Sequence, residues 1–424
     1  MEMIDINTYF HSVTLDKDLC RGCTNCIKRC PTEAIRVRNG KARIIKERCI
    51  DCGECIKVCP YRAKKAVTDK LSSIHKYKYK IALPAPSLYV QFKNKPDINL
   101  VLNGLKELGF DEVFEVARAA ELVTMATKTY IEENEIQKPV ISSACPAVTR
   151  LIQVKFPNLI DHILPLLAPI ELAARLSLEN AVSKTNLPPE DIGIFFITPC
   201  AAKVTCSYSP IGVKESKVSG SISISEIYKA LLPVMKNIKS PEIIASAGIE
   251  GIKWAKNSGE SIGLKTENYI AVDGIHDVIK IFEEIDAGFL NDIDFVEASS
   301  CIGGCIGGPL TVENPFVAKT KLNRVLDNTE LVPSKVGFSA EIEEKVKWKY
   351  PVKFNAVMKL DENMEVALKM LTQIEELYND LPQIDCGSCG SPSCHAMAED
   401  IVRGFAKKTD CIFKLKEKLK HLAE

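Results

Sequence analysis

The sequence predicts three parts: a central α/β domain of parallel sheets flanked by helices, a small α+β cysteine-rich domain before it, and a small, mainly helical cysteine-containing domain after it. Three observations predict this. A four-cysteine pattern occurs twice within the first seventy residues, apolar runs alternate with helical periods from residue 78 to about 375, and four more cysteines follow residue 380. The expected boundaries are 1–70, 78–375 and 380–424, since 424 residues exceed one ordinary core. Fifty-five basic residues balance fifty-five acidic ones, which argues against a nucleic-acid partner or an anionic membrane surface. No apolar run approaches the roughly 18 residues of a membrane span. The opening MEMIDINTYFHS lacks the basic and apolar segments of a signal peptide, so a cytoplasmic location is expected. In that reducing compartment, seventeen cysteines are expected to be metal ligands or redox groups rather than disulfides.

The first part contains CRGCTNCIKRCP and CIDCGECIKVCP, and every cysteine of the first run recurs 29 residues later. Between them, RVRNGKARII reads as a hairpin turning at Asn39-Gly40. Two C-x2-C-x2-C-x3-C-P runs resemble the bacterial ferredoxin with two 4Fe–4S clusters. That resemblance implies one cluster on Cys20, Cys23, Cys26 and Cys59, and its neighbour on Cys49, Cys52, Cys55 and Cys30. A pair of zinc knuckles is the alternative, but zinc needs neither the doubled spacing nor the proline. The segment after Val67, TDKLSSIHKYKYK, reads as a solvated basic linker.

In the middle part, YKIALPAPS, KPVISSACP, DIGIFFITPC, PEIIASAG, ENYIAVDG and IDFVEASSC each read as a short buried strand. AVTRLIQVKF, SEIYKALLPVMKN and HDVIKIFEEI carry helical periods between them. Strands alternating with helices predict parallel pairing, and ligands of such sheets bind beyond the carboxyl ends of the strands. Cys145, Cys200, and Cys301 with Cys305 follow three of those strand ends. Four thiolates converging there can hold a further 4Fe–4S cubane. Any one of them alone would read as a small buried hydrophobe.

SSACP, TPCAAK and EASSCIGGCIGGP resemble the three motifs of the FeFe (iron-only) hydrogenases, in the same order and spacing. The resemblance implies that the four cysteines bind the cubane of an H-cluster. Cys305 would then bridge to a diiron unit carrying carbonyl, cyanide and an azadithiolate. Lys203 matches the lysine that hydrogen-bonds a cyanide of the distal iron, a charge-assisted contact. Ala85, Pro86 and Ser87 match the stretch that contacts the other cyanide. Gly303, Gly304, Gly307 and Gly308 are expected to let backbone approach the cofactor.

The chain departs from the catalytic members at the proton path. Ala144 stands where a proton-passing cysteine is usual, and a methyl group carries no proton. Cys206 replaces the glutamate three residues after the lysine, and Ser299 replaces a methionine. AAELVTMATKTY offers Thr127 and Tyr130 in place of relay glutamates, and Ala168, Pro169, Ile170 and Glu171 replace Ser-Pro-Gln-Gln. Kept ligands with a dismantled path resemble the sensory branch of the family. That implies reversible H2 oxidation and proton reduction with low turnover, serving as a hydrogen or redox sensor. A ferredoxin-linked catalytic hydrogenase with another proton pathway, and a non-enzymatic iron–sulfur electron carrier, are the rival readings. Cys206 is the one cysteine outside the four sets, read either as a substitute proton carrier or as a packing residue.

The tail holds Cys386, Cys389, Cys394 and Cys411 behind LPQIDCG. It resembles the small 4Fe–4S domain of corrinoid iron–sulfur proteins and of some membrane electron-transport subunits, with zinc as the alternative. IFKLKEKLKHLAE ends the sequence as a basic amphipathic helix with Ile412, Leu415, Leu419 and Leu422 on one stripe. Such stripes mostly pack on their own domain. The other use is docking of a ferredoxin-like or redox-signalling partner, or of a second copy in a homodimer.

Overall fold

The computed structural model describes residues 9–93, 97–134, 136–328 and 337–423, so most of MEMIDINTYFHS lies outside the described residues. The chain divides into two compact units, 13–66 with 355–423, and 9–12 with 67–354.

In the first unit, β1 (Val13–Leu15) pairs antiparallel with β4 (Lys64–Ala66), and β2 (Ile35–Arg38) with β3 (Lys41–Ile44). The second pair is the hairpin expected from the sequence. Asn39 and Gly40 turn it with φ of 52° and 70°, the positive values a two-residue turn of this hand requires. Short helices Asn25–Lys28 and Glu54–Lys57 follow the corresponding cysteines of the two repeats.

The tail was expected as a separate domain, but it packs on this hairpin. Arg36 and Arg38 both donate to Asp400, at 2.6 and 2.8 Å, and Arg48 pairs with Glu399. The Val37 amide donates to Gly390 O at 2.7 Å. Arg36, Arg48, Glu399 and Asp400 are all buried, so each charge depends on its partner. The helix Met364–Asp380, whose first two thirds were expected with the α/β domain, belongs here as well. Ile374, Leu377 and Tyr378 pack with Met397, Ala398 and Cys411. The terminal stripe does not pack inward: Ile412, Leu415, Leu419 and Leu422 are exposed, while neighbouring Lys414 pairs with Asp380. Asp400→Ala strands the Arg36 guanidinium and is expected to cost about 3–5 kcal/mol. Hydrogen exchange along the helix Cys394–Val402 would then accelerate by two orders of magnitude or more, as judged at roughly 1.4 kcal/mol per tenfold.

The second unit has two parallel sheets. One has the order β6 (Glu112–Val113), β5 (Tyr79–Pro84), β8 (Ile192–Thr198), β9 (Gly220–Ser223), and the other β10 (Tyr269–Asp273), β11 (Phe295–Ser299), β7 (Val140–Ile141). Every residue of β8 is buried, as a central parallel strand demands. The three expected helices appear as Pro146–Lys155, Ile224–Met235 and Ile275–Asp286.

PEIIASAG is not a strand. Its amides are satisfied by side chains instead: Ile244 and Ala245 donate to Asn99 Oδ1, and Ser246 and Ala247 to Glu115 Oε1. The supposed linker is also structured. Leu71–Lys76 forms a 3-10 helix, Ile74 is fully buried, and the Asp69 amide donates to Ser221 O at 2.9 Å.

Candidate active site

Strands from both sheets end on one cavity of about 90 Å3. β5 leads to Ala85 and Pro86, β7 to Ser142, Ala144 and Cys145, β8 to Cys200, and β11 to Ser299 and Cys301; all of these line it, as does Cys305. Carboxyl ends of parallel strands are where such sheets bind ligands.

Cys145 and Cys200 each occupy the N-cap of a helix, Pro146–Lys155 and Ala201–Tyr208, so the positive helix ends lie at their sulfurs. Cys305 sits in the 3-10 turn Gly304–Gly307. Gly304 and Gly308 line the cavity, and the close approach of other backbone holds them to glycine. A Cβ on Gly304 would stand 2.6 Å from the Asn257 amide nitrogen, and one on Gly308 would stand 2.2 Å from Pro199 O.

Lys203, one turn into its helix, also lines the cavity, and its ammonium donates to Cys305 Sγ at 3.1 Å. Burial alone would depress its pKa, but the sulfurs of Cys305, Cys200 and Cys145 overcome that and hold it raised. Burial, then Cys301, pushes the Cys200 thiol up to about 12 against the pull of Lys203. Ser87 is fully buried beside Pro86 and its hydroxyl finds no partner among the described residues; the same holds for Ser300, which lines the cavity.

Two carboxyls that sequence reasoning passed over face the same cavity. Glu260, from the helix Gly259–Leu264, and Glu297, from β11, are both buried and both line it. Ser142 Oγ donates to Glu260 Oε2 at 2.6 Å and accepts the Ala144 amide at 3.2 Å. The Ser261 amide and hydroxyl donate to Glu297 Oε2, each at 2.9 Å. Burial, followed by the charge of Glu297, raises the Glu260 pKa; burial likewise raises that of Glu297, against the Ser261 hydrogen bonds. The charge of one such carboxyl disfavours ionisation of the other, so the two titrate as a pair.

The remaining expected residues divide. Pro169 and Ile170 line the cavity, whereas Ser87, Ala168, Glu171, Thr127, Tyr130 and Cys206 do not. Glu171 accepts from Ser216 Oγ at 2.6 Å. Cys206 is buried; burial raises its thiol pKa, opposed by Arg150 and reinforced by Glu171.

A family model described as "Iron only hydrogenase large subunit, C-terminal domain" matches residues 78–231 and 215–309. The chain belongs to that family. A 4Fe-4S dicluster model matches residues 12–60, and an Fe–S cluster model matches 381–413. Among curated relatives of this iron-only hydrogenase family member, Iron hydrogenase 1 of Clostridium pasteurianum is 23% identical over 368 residues, covering 70% of this chain and 64% of that protein. The chain thus spans under two thirds of the clostridial protein. The periplasmic Fe hydrogenase large subunit of Nitratidesulfovibrio vulgaris is 22% identical over 361 residues, covering 70% and 86%. A variant of the FeFe hydrogenase of Chlamydomonas reinhardtii superposes with a TM-score of 0.53 at 16% identity, covering 68% of this chain and 98% of that one, a likeness of fold.

Of the other thirteen cysteines, all but Cys206 also fall into sets of four. Cys20, Cys23, Cys26 and Cys59 line one small cavity, Cys30, Cys49, Cys52 and Cys55 a second, and Cys386, Cys389, Cys394 and Cys411 a third. Four soft sulfur donors around a closed space suit an iron–sulfur cubane.

Proposed function

We propose that the chain catalyses reversible splitting of hydrogen into protons and electrons, at a low rate suited to sensing hydrogen or redox state. One observation carries this reading: Cys145, Cys200, Cys301, Cys305 and the Lys203 ammonium share a cavity of about 90 Å3, whereas the three other four-cysteine cavities measure about 10 to 20 Å3. The larger space suits a cubane extended by a diiron unit. Cys145, Cys200, Cys301 and Cys305 would hold that H-cluster, with Lys203 and Ser87 as donors to its cyanides. When bound, the H-cluster would supply heterolysis of hydrogen and storage of its electrons. Cubanes on the three other four-cysteine sets would be one-electron stores for exchange with a ferredoxin-like or redox-signalling partner.

The chain's own residues supply the proton handling. Ala144 cannot take a proton, but Ser142, which accepts its amide, donates to Glu260, and all three line the cavity. A proton released into the cavity is accepted by a carboxylate of the Glu260–Glu297 pair, whose raised pKa makes it a stronger base than a solvated carboxylate. This indirect route stands in for the one lost at Ala144, Thr127 and Tyr130, and its slower transfer accounts for the low rate. Among the described residues no helix is long and apolar enough to cross a membrane.

Two assays test the reading. Chain loaded with iron, sulfide and the synthetic diiron cofactor is expected to reduce a viologen dye under hydrogen. Chain given iron and sulfide alone is expected not to, and equal rates in both would refute the proposal. Ala144→Cys is expected to raise the rate on the order of 100-fold, the usual worth of a restored relay; a rate within about threefold of the wild type would mean that the missing relay is not what limits turnover.

A further inference from the structure

Among the described residues, the 29-residue repeat has one position that is buried in both halves yet apolar in one and charged in the other. Proline, alanine and the four cysteines recur in register: Pro31 with Pro60, Ala34 with Ala63. Ile35, at the start of β2, corresponds to Lys64, at the start of β4. Both are 3% exposed, so the lysine is as deeply buried as the isoleucine it mirrors. Its Nζ is sealed from solvent and has no hydrogen-bond partner among the described residues. A buried, unpaired ammonium costs several kcal/mol, so a lysine here needs a compensating negative charge.

The compensating charge is in the cluster sites. Lys64 lines the cavity of Cys20, Cys23, Cys26 and Cys59. Its charge opposes the burial that raises the thiols of Cys26 and of Cys55, one from each four-cysteine set. Among the described residues, the second cavity has no lysine on its walls and is lined by Ile35 at the repeat-related place. The repeat therefore builds two similar sulfur cages with unequal electrostatics.

We propose that Lys64 sets the reduction potentials of the paired N-terminal clusters, raising that of the cluster on Cys20, Cys23, Cys26 and Cys59 above its neighbour's. The inference rests on the reading that these cysteines hold cubanes. Adding one electron to a cubane makes it one unit more negative and breaks no bond. A fixed cation beside it stabilises the reduced form more than the oxidised one, and no proton need enter. Two equal clusters would share an electron evenly, whereas this arrangement places it on the Lys64 side and gives the pair a direction. Proteins tune cluster potentials by net charge, burial and hydrogen bonding around the sulfurs.

The test is a potentiometric titration of the full chain, reconstituted with iron and sulfide and followed by electron paramagnetic resonance. The wild type is expected to show two N-terminal clusters of unequal potential. Lys64→Ile, which copies the other half of the repeat, should lower the reduced-to-oxidised ratio of the higher-potential cluster at fixed potential by about tenfold, or about 59 mV for one electron. Lys64→Arg should restore the wild-type value, and the tail cluster should not move in either variant. Unchanged potentials in cluster-loaded Lys64→Ile, or an equal shift of all clusters, would overturn the inference. If Lys64→Ile does not load, Lys64→Gln, polar but uncharged, is judged by the same shift. Absence of any N-terminal cluster signal in the wild type would defeat the cluster reading itself, a distinct result.

Discussion

Cys305→Ala is expected to reduce hydrogen turnover to background while leaving the three small clusters intact. Cys305 is the residue at which the site's two features meet: it is one of four sulfurs on the cavity, and the one that receives the Lys203 ammonium. Alanine removes a metal ligand and leaves the Lys203 charge facing an apolar wall. Iron content should fall, and the electron paramagnetic signals of the ferredoxin-like and tail clusters should persist. Cys206→Ala is the matched control, since that thiol is buried on the same helix as Lys203 but does not line the cavity. Its loss should change the rate by no more than about threefold, well below the 100-fold or greater effect of removing a proton carrier. Residual hydrogen turnover in Cys305→Ala, or its disappearance in Cys206→Ala, would reassign the site.

Glu260→Gln is expected to slow turnover by about 10²- to 10⁴-fold, the usual worth of a positioned acid–base group. Glutamine keeps the size of the side chain and can still accept from Ser142, so the lost quantity is proton exchange alone. Glu297→Gln should act in the same direction, and the two substitutions together should cost little more than either, as for groups that work as a unit. The pair has a stability consequence as well. Both carboxyls have raised pKa values in the fold, so the folded state keeps protons that the unfolded chain releases. Their contribution is complete below the ordinary carboxylate range, about 4.3, and is lost as the pH rises through the raised values. Denaturation midpoints measured across that range should decline with pH in the wild type and decline less in Glu260→Gln. A flat wild-type profile would mean that the carboxyls are not held protonated.

Much of the site could be read in the sequence because sulfur ligands must recur at fixed spacings. The cysteines at 145, 200, 301 and 305 follow strand ends, and parallel pairing brings strand ends together. Lys203 was legible through its place one turn beyond Cys200. Glu260 and Glu297 were not, since each is a lone carboxylate, Glu260 in the polar, glycine-containing stretch KNSGESIGLK, and only the packing of the helix Gly259–Leu264 beside β11 unites them. The one sequence signal was for Glu297, a charged residue inside the largely apolar strand FVEAS, where a solvated carboxylate has no place.

Errors in the fold reading have similar causes. PEIIASAG carries strand-like residues, but Asn99 and Glu115 satisfy its amides, so no ladder is needed. The basic segment after Val67 contains Ile74, whose burial anchors it. The tail joins the N-terminal repeat through buried arginine–carboxylate pairs, which separate stretches of charged sequence do not announce.

The most direct measurement is an infrared spectrum of the full chain reconstituted with the synthetic diiron cofactor, taken before and after exposure to hydrogen. Carbonyl and cyanide bands that shift under hydrogen are the expected result, and would establish hydrogen activation in the cavity of Cys145, Cys200, Cys301 and Cys305. A well-folded, cluster-loaded chain that shows no such bands, or bands indifferent to hydrogen, would contradict it and leave an iron–sulfur electron carrier in its place.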